Sequence, residues 1–141
     1  MKFYKPNLKH RLKAYSLTEI MIVLVIIGIL VLLALPILIP LISKAKSTEA
    51  KLQLGHLQML EQNYFYEHSR YSKDLSEIGF IQEKLTTENT AGRANYRIDI
   101  KNVTSTGFTA TATAVVDFNA NGTFNVWEIN ENKDLKEVTP D

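Results

Sequence analysis

The stretch KAYSLTEIMIVLVIIGIL, residues 13–30, decides the fold of this 141-residue chain. It opens an uncharged, strongly apolar run of 23 residues, 20–42, and about 20 such residues can cross a bilayer as a helix. Residues 1–14 carry five basic side chains and no acid, which favours the cytoplasmic side of a membrane. We therefore expect a single-pass membrane helix with a cytoplasmic start and an exported domain after it.

The charge of the chain is divided unevenly along its length. The whole chain has a formal net charge of +1, but the part after Ala14 has 11 basic and 15 acidic side chains and is formally −4. This balance lacks the basic footprint of a nucleic-acid-binding domain, so no nucleic-acid partner is expected. With no cysteines, the exported domain depends on its core, on assembly or on a bound ion.

The hydrophobic pattern predicts an α+β fold in four zones. Residues 1–14 form a basic leader, residues 15–42 a membrane and assembly helix, residues 43–66 its amphipathic continuation, and residues 67–141 a connecting loop and a sheet. Within the third zone an apolar stripe recurs at steps of three and four, which favours a helix covering a sheet; a helix contact in a filament would use the part left uncovered. The stripe consists of Ala50, Leu54, Leu57, Leu60 and Tyr64.

Alternating polar and apolar residues predict the strands of a small antiparallel sheet that packs one face on the helix. The expected strands are residues 96–101, 108–114, 123–129 and 135–138, with a hairpin connection at 104–107 and a turn at Asn121 and Gly122. A meander is the simplest topology. A short helix over residues 73–78, ended by Gly79, is expected in the connecting region.

The residues around the start of the apolar run carry a more specific signal. A secretory signal peptide is cut after its apolar segment, and Leu32-Leu33-Ala34 is a poor match to that site. Over residues 11–42 the chain instead resembles the prepilin family, which has a basic leader, a small residue, an aromatic residue, Thr-Leu-x-Glu, an apolar helix and a proline. The match departs from the usual pattern with Ala14 for Gly, Tyr15 for Phe and Thr18 for an apolar residue.

The resemblance implies how the chain would be processed and assembled. Prepilin peptidase would cut between Ala14 and Tyr15 and methylate the new amino group of Tyr15. The subunit would wait in the bacterial inner membrane, with its C-terminal domain in the periplasm, until an assembly platform extracts it from the lipid into a homo-oligomeric filament. Pro36 matches the helix proline of the family, around which the segment can loosen during packing. Pro40 is an additional proline.

Glu19 needs a physical explanation, because a carboxylate at the edge of an apolar segment costs free energy unless it has a partner. In the prepilin family the equivalent acid pairs with the N-terminal amine of the neighbouring subunit. The alternative is local: Ser16 and Glu19 have the spacing of a capping box, in which each side chain binds the backbone N–H of the other residue. Both roles can hold in turn, before and after cleavage.

A calcium loop is the second candidate site. Asp117, Asn119, Asn121, Gly122 and Glu128 have the D-x-[DN]-x-[DN]-G-x5-E spacing of such loops. The alternative is an Asn-Gly turn with Glu128 on the polar side of a strand. The major pseudopilins of type II secretion carry calcium in this part of their sheet domain, so the resemblance keeps calcium as a candidate ligand, with no cofactor required.

Three classes of function were weighed. The three histidines are spread along the chain and cysteine is absent, which leaves little for nucleophilic catalysis, so no enzyme is expected. The small domain, the missing cysteine pair and the calcium loop favour a structural subunit of a type II secretion pseudopilus in the periplasm. The alternative is a type IV pilus subunit for adhesion, motility or DNA uptake.

Overall fold

The computed structural model describes residues 15–88 and 90–140. The predicted leader, including Ala14, lies outside the described residues. The described residues form two compact units, divided between Pro36 and Ile37.

The predicted long helix is confirmed as α1, Leu17–His68, with 52 residues. Its side chains are exposed from residue 17 to residue 42, which covers the apolar run. Pro36 and Pro40 lie inside the helix, and it continues through both although each proline removes one backbone hydrogen bond. At the other end, Ser69 has φ 57° and donates its N–H to Phe65 O at 2.8 Å, a left-handed C-cap that ends the helix.

The second unit contains a four-stranded antiparallel sheet, which confirms the predicted meander. The strands are β1 Tyr96–Val103, β2 Phe108–Ala114, β3 Val126–Asn130 and β4 Leu135–Thr139, in the order β1-β2-β3-β4. The predicted hairpin is also present: Thr104 N donates to Gly107 O at 2.8 Å. A bulge between Ile100 and Asn102 shifts the register next to this hairpin.

The core lies between the inner face of this sheet and the second half of α1. Ala50, Leu54 and Leu57 of the predicted stripe are fully buried, and Tyr64 is nearly so. They pack in one cluster with the inward side chains of the sheet, which include the alanines of the inner strand β2. The inward residues of β1 and β2 are Tyr96, Ile98, Ile100, Phe108, Ala110, Ala112 and Ala114.

The prediction of a short helix at residues 73–78 was wrong. Residues 75–79 form turns, in which Gly79 N donates to Ser76 O at 3.1 Å and Phe80 N donates to Leu75 O at 2.8 Å. Asp74 Oδ1 accepts hydrogen bonds from the N–H of Ser76 at 2.8 Å and from its hydroxyl at 2.7 Å. Such side-chain bonds compete with helix formation, so the segment stays a chain of turns.

The third strand begins later than expected, at Val126 rather than residue 123. Asn125, just before it, is fully buried and uses its side chain to bind other parts of the domain. Its Oδ1 accepts from Tyr96 Oη at 2.8 Å, and its Nδ2 donates to Glu137 Oε1 at 2.6 Å. The long β2–β3 connection is therefore anchored by a buried polar residue, which hydrophobic alternation alone does not reveal.

Candidate assembly site

The start of α1 forms the capping box that the spacing of Ser16 and Glu19 allowed. Ser16 N donates to Glu19 Oε2 at 2.9 Å, and Glu19 N donates to Ser16 Oγ at 3.2 Å. Two backbone donors at the helix start are thereby satisfied, and the carboxylate lies near the positive end of the helix dipole. Both residues are exposed, as is the neighbouring Tyr15 at 77%. The carboxylate therefore remains accessible to a second partner.

The surface that follows Glu19 is apolar on all sides of the helix. The large side chains of residues 20–42 are exposed, and patches of this size on a folded chain mark contacts with a membrane or with protein. α1 contains a stretch long and apolar enough to cross a bilayer. At Gly28 an added Cβ would meet no atom within 4 Å, so the glycine opens a small notch where another helix can approach.

In the proposed calcium loop, Asp117 already binds the loop backbone. Its Oδ1 accepts from Asn119 N at 3.2 Å and from Asn121 N at 3.3 Å, and its Oδ2 accepts from Gly122 N at 2.7 Å. The hydrogen bond from Gly122, followed by those from the other loop amides, lowers the pKa of Asp117 below its ordinary value. Gly122 has φ 86°, a value that favours glycine. The turn predicted here is therefore closed by the same aspartate that was expected to bind the ion.

The other candidate calcium ligands also have protein partners. Asn119 Oδ1 accepts from Asn121 N at 2.9 Å, and Asn121 Oδ1 accepts from Thr123 N at 2.7 Å. Glu128 lies within β3 and pairs with Lys136 of β4 at 2.9 Å. An ion would have to recruit Glu128 from this pair, and calcium binding stays a prediction.

Sequence reasoning missed a buried carboxylate at the centre of the second unit. Glu61 on α1 is fully buried, and its Oε2 accepts from Ser72 N at 3.1 Å. Burial raises the pKa of Glu61, and the hydrogen bond from Ser72 offsets only part of that effect. In the sequence, Glu61 lies on the polar face of the predicted helix. Its burial could not be predicted there, because the loop that covers it comes from eleven residues further along the chain.

The histidines that the structure describes are placed as structural residues. His56 on α1 lies near the ring of Phe80, with centroids 5.9 Å apart, and His68 stacks on Tyr64 at 4.2 Å. Within residues 15–88 and 90–140, no three His, Cys, Asp or Glu side chains are grouped so that they could hold a metal ion.

By fold and by helix start, the chain is a membrane-anchored, pilin-like subunit with an α+β outer domain. A profile of the prokaryotic N-terminal methylation motif matches residues 9–35, which include Ala14, Tyr15 and Glu19. A second profile, described as type IV minor pilin ComP, DNA uptake sequence receptor, matches residues 39–123, more than half of the chain. The chain therefore belongs to this family of type IV pilins.

A curated relative points to the same class. The type IV major pilin protein PilA of Myxococcus xanthus is 38% identical to this chain over 88 residues, which is 62% of this chain. The match covers 37% of the length of PilA, so this chain spans little more than a third of that relative. Both named proteins are pilins, whereas the sequence analysis favoured a type II secretion pseudopilin.

Proposed function

We propose that this chain is a structural subunit of a type IV pilus, anchored in the bacterial inner membrane before assembly. The observation that carries the proposal is that a type IV pilin profile covers most of the outer domain, while a methylation-motif profile covers the helix start. The sequence similarity to a major pilin of Myxococcus xanthus supports assignment to a pilus rather than to a pseudopilus. The exposed apolar helix supplies both the anchor and the filament contact.

In this proposal Glu19 exchanges one partner for another. In the free subunit its carboxylate accepts from Ser16 N at 2.9 Å. Cleavage before Tyr15 creates a positively charged amine, and in the apolar centre of a filament an unpaired charge is costly. The amine of one subunit therefore binds Glu19 of the next, which neutralises both groups and fixes the axial position of the subunits.

The capping box provides a matched pair of variants that tests this exchange. Glu19→Ala removes the carboxylate that accepts from Ser16 N and leaves the Ser16 hydroxyl to cap the N–H of residue 19, whereas Ser16→Ala removes that hydroxyl and leaves the carboxylate. We expect the Glu19 variant to be inserted in the membrane but to form no filaments, and the Ser16 variant to form them. Filaments would be counted by electron microscopy in cells that have each variant as their sole copy. An equal loss in both variants would reduce Glu19 to a local cap.

DNA uptake is a second candidate, favoured by the description of the matching profile. The outer face of the sheet presents Lys101 and Lys136, but acids lie beside them: Asp99 is 4.0 Å from Lys101, and Glu128 is 2.9 Å from Lys136. These pairs weaken any positive patch on that face. A titration of the detergent-solubilised chain with labelled duplex DNA at low and high salt tests this role, because phosphate contacts weaken steeply with salt. Saturable, salt-sensitive binding would favour it.

A further inference from the structure

A cleft of about 260 Å³ lies in the second unit, between α1 and the strands β3 and β4. Its helix side is formed by Ser43, Lys44, Ser47 and Lys51, and its sheet side includes Trp127 and Glu137. Ser43 and Ser47 are buried, whereas Lys44 is exposed at the edge. The cleft is thus lined by hydroxyls, ammonium groups, an indole and a carboxylate.

Trp127, one of the residues that line the cleft, has a buried donor that lacks an acceptor. Its Nε1 is buried and donates to no acceptor within the described residues, 15–88 and 90–140. A buried donor without an acceptor is unfavourable, so a ligand oxygen at this position would stabilise the site. Lys51 Nζ lies 4.2 Å from the centre of the Trp127 ring, which holds one cationic group over the face of the indole.

The cleft presents both signs of charge. Lys44 and Lys51 bring two positive charges, and Glu137 brings one negative charge from the opposite side. Glu137 Oε1 accepts from Asn125 Nδ2 at 2.6 Å, so this side chain is held in place while its second oxygen stays available. Such a site suits a ligand with a phosphate for the lysines and the indole N–H, and an ammonium for the carboxylate.

The position of the cleft along the chain indicates where this ligand comes from. Lys44 and Ser47 follow the last residue of the apolar run, Ile42, by two and five residues, or about 3 and 8 Å along a helix. The polar headgroup layer on each side of a bilayer is about 5–8 Å thick. Tryptophan and lysine are both favoured at this depth, so the cleft begins where phospholipid headgroups lie.

We propose that this cleft binds the headgroup of an ethanolamine phospholipid while the subunit waits in the membrane. The phosphate lies against Lys44, Lys51 and the Trp127 N–H, and the primary ammonium lies against Glu137. The inference rests on membrane insertion of the apolar run, but on neither filament type. It assigns the cleft the role of setting the depth of the unassembled subunit.

The single tryptophan of the chain is Trp127, so its fluorescence reports on the cleft directly. The full-length chain in neutral detergent micelles would be titrated with phosphatidylethanolamine, phosphatidylcholine and phosphatidylglycerol of the same acyl chains. We expect a saturable change in Trp127 emission with phosphatidylethanolamine at mole fractions where the other two give none. Inorganic phosphate and soluble phosphoethanolamine, added to the same micelles, distinguish a membrane lipid from a free phosphate compound. An equal response to the three lipids, or to a free compound at the same concentration, would overturn the proposal.

Two variants and a control locate the contacts. Lys44→Gln should weaken the response to phosphatidylethanolamine about tenfold or more, since it removes a charged donor to phosphate. Glu137→Gln keeps an acceptor for Asn125 but should remove the preference over phosphatidylcholine. Lys46→Gln is the matched control, because Lys46 is exposed near the same depth and does not line the cleft. Equal weakening in the Lys44 and Lys46 variants would show only general attraction to a charged surface. Insertion itself is checked separately by recovery of each variant in the membrane fraction.

Discussion

The carboxylate of Glu49 on α1 accepts two hydrogen bonds from Asn95, both at 2.7 Å, one from the backbone N–H and one from the side-chain amide. Asn95 immediately precedes β1, and its backbone O also accepts from Val115 N at 2.9 Å, after β2. The pair therefore joins the helix to one end of the sheet. Hydrogen bonds to a charged acceptor are stronger than neutral ones, so this contact should hold the sheet on α1.

Replacement of this carboxylate should destabilise the outer domain. We expect Glu49→Ala to lower the free energy of unfolding by about 1.5–3 kcal/mol, since it leaves the buried Asn95 without the charged acceptor of its backbone N–H and side-chain amide. Glu67→Ala, at an exposed position of the same helix, should change it by less than about 0.5 kcal/mol. Urea unfolding of the full-length chain in detergent, followed by Trp127 fluorescence, measures both. Similar midpoints for the two variants would mean that the Glu49–Asn95 contact contributes little.

The buried Glu61 predicts an effect of pH on stability. Because burial raises the folded-state pKa of this acid above its unfolded value of 4.5, the folded state binds its proton more tightly. The contribution of Glu61 is therefore most favourable below pH 4.5 and is lost as pH rises through the folded-state pKa. Glu61→Gln keeps an acceptor for Ser72 N and stays neutral, so it should unfold at higher urea than the parent at pH 8.

The same comparison near pH 4 provides the control for Glu61. There the parent carboxyl is protonated in the folded state, so the advantage of the glutamine variant should shrink. A constant difference between parent and variant across this pH range would contradict the assignment of the effect to ionisation of Glu61.

The calcium hypothesis makes its own prediction for the loop that starts at Asp117. If the ion binds only the folded state, a hundredfold excess over the dissociation constant raises stability by roughly 2.7 kcal/mol. With two carboxylates, we expect affinity in the range of extracellular modules, about 0.1–1 mM. The melting temperature of the full-length chain should then be higher in millimolar calcium than in EDTA, and Asp117→Ala should remove this difference. Equal melting in both conditions would leave Asp117 as a cap of the loop backbone.

The overall fold was accessible from the sequence because its signals are long and periodic. The uncharged run at residues 20–42 and the stripe through Leu54 and Leu57 both span many turns, and the meander follows from strict alternation with short turns between strands. The cap formed by Ser16 and Glu19 was accessible for a different reason. Its partners are three residues apart, so the spacing alone brings them together.

Long-range polar contacts could not be predicted from local sequence patterns. Glu49 bonds to a residue 46 positions away, and Tyr96 bonds to Asn125 across 29 positions. In the sequence Glu49, Asn95 and Asn125 resemble ordinary surface residues of a helix or a loop. The turns at residues 75–79 were mistaken for a helix because their composition fits one, while the competing hydrogen bonds of Asp74 depend on the local backbone. The choice between pilus and pseudopilus rested on weak features, namely domain size, missing cysteines and the spacing of a calcium loop.

We propose that this chain, cut before Tyr15, builds a surface pilus. Filaments sheared from the surface of cells that produce the protein would be purified and their subunits measured by intact mass and N-terminal peptide mass spectrometry. We expect abundant chain that begins at Tyr15 with a methylated amino group, and loss of these filaments in the Glu19→Ala strain. Processed chain confined to the periplasm and inner membrane, with none in sheared filaments, would contradict the pilus assignment. That result would favour a pseudopilus subunit instead.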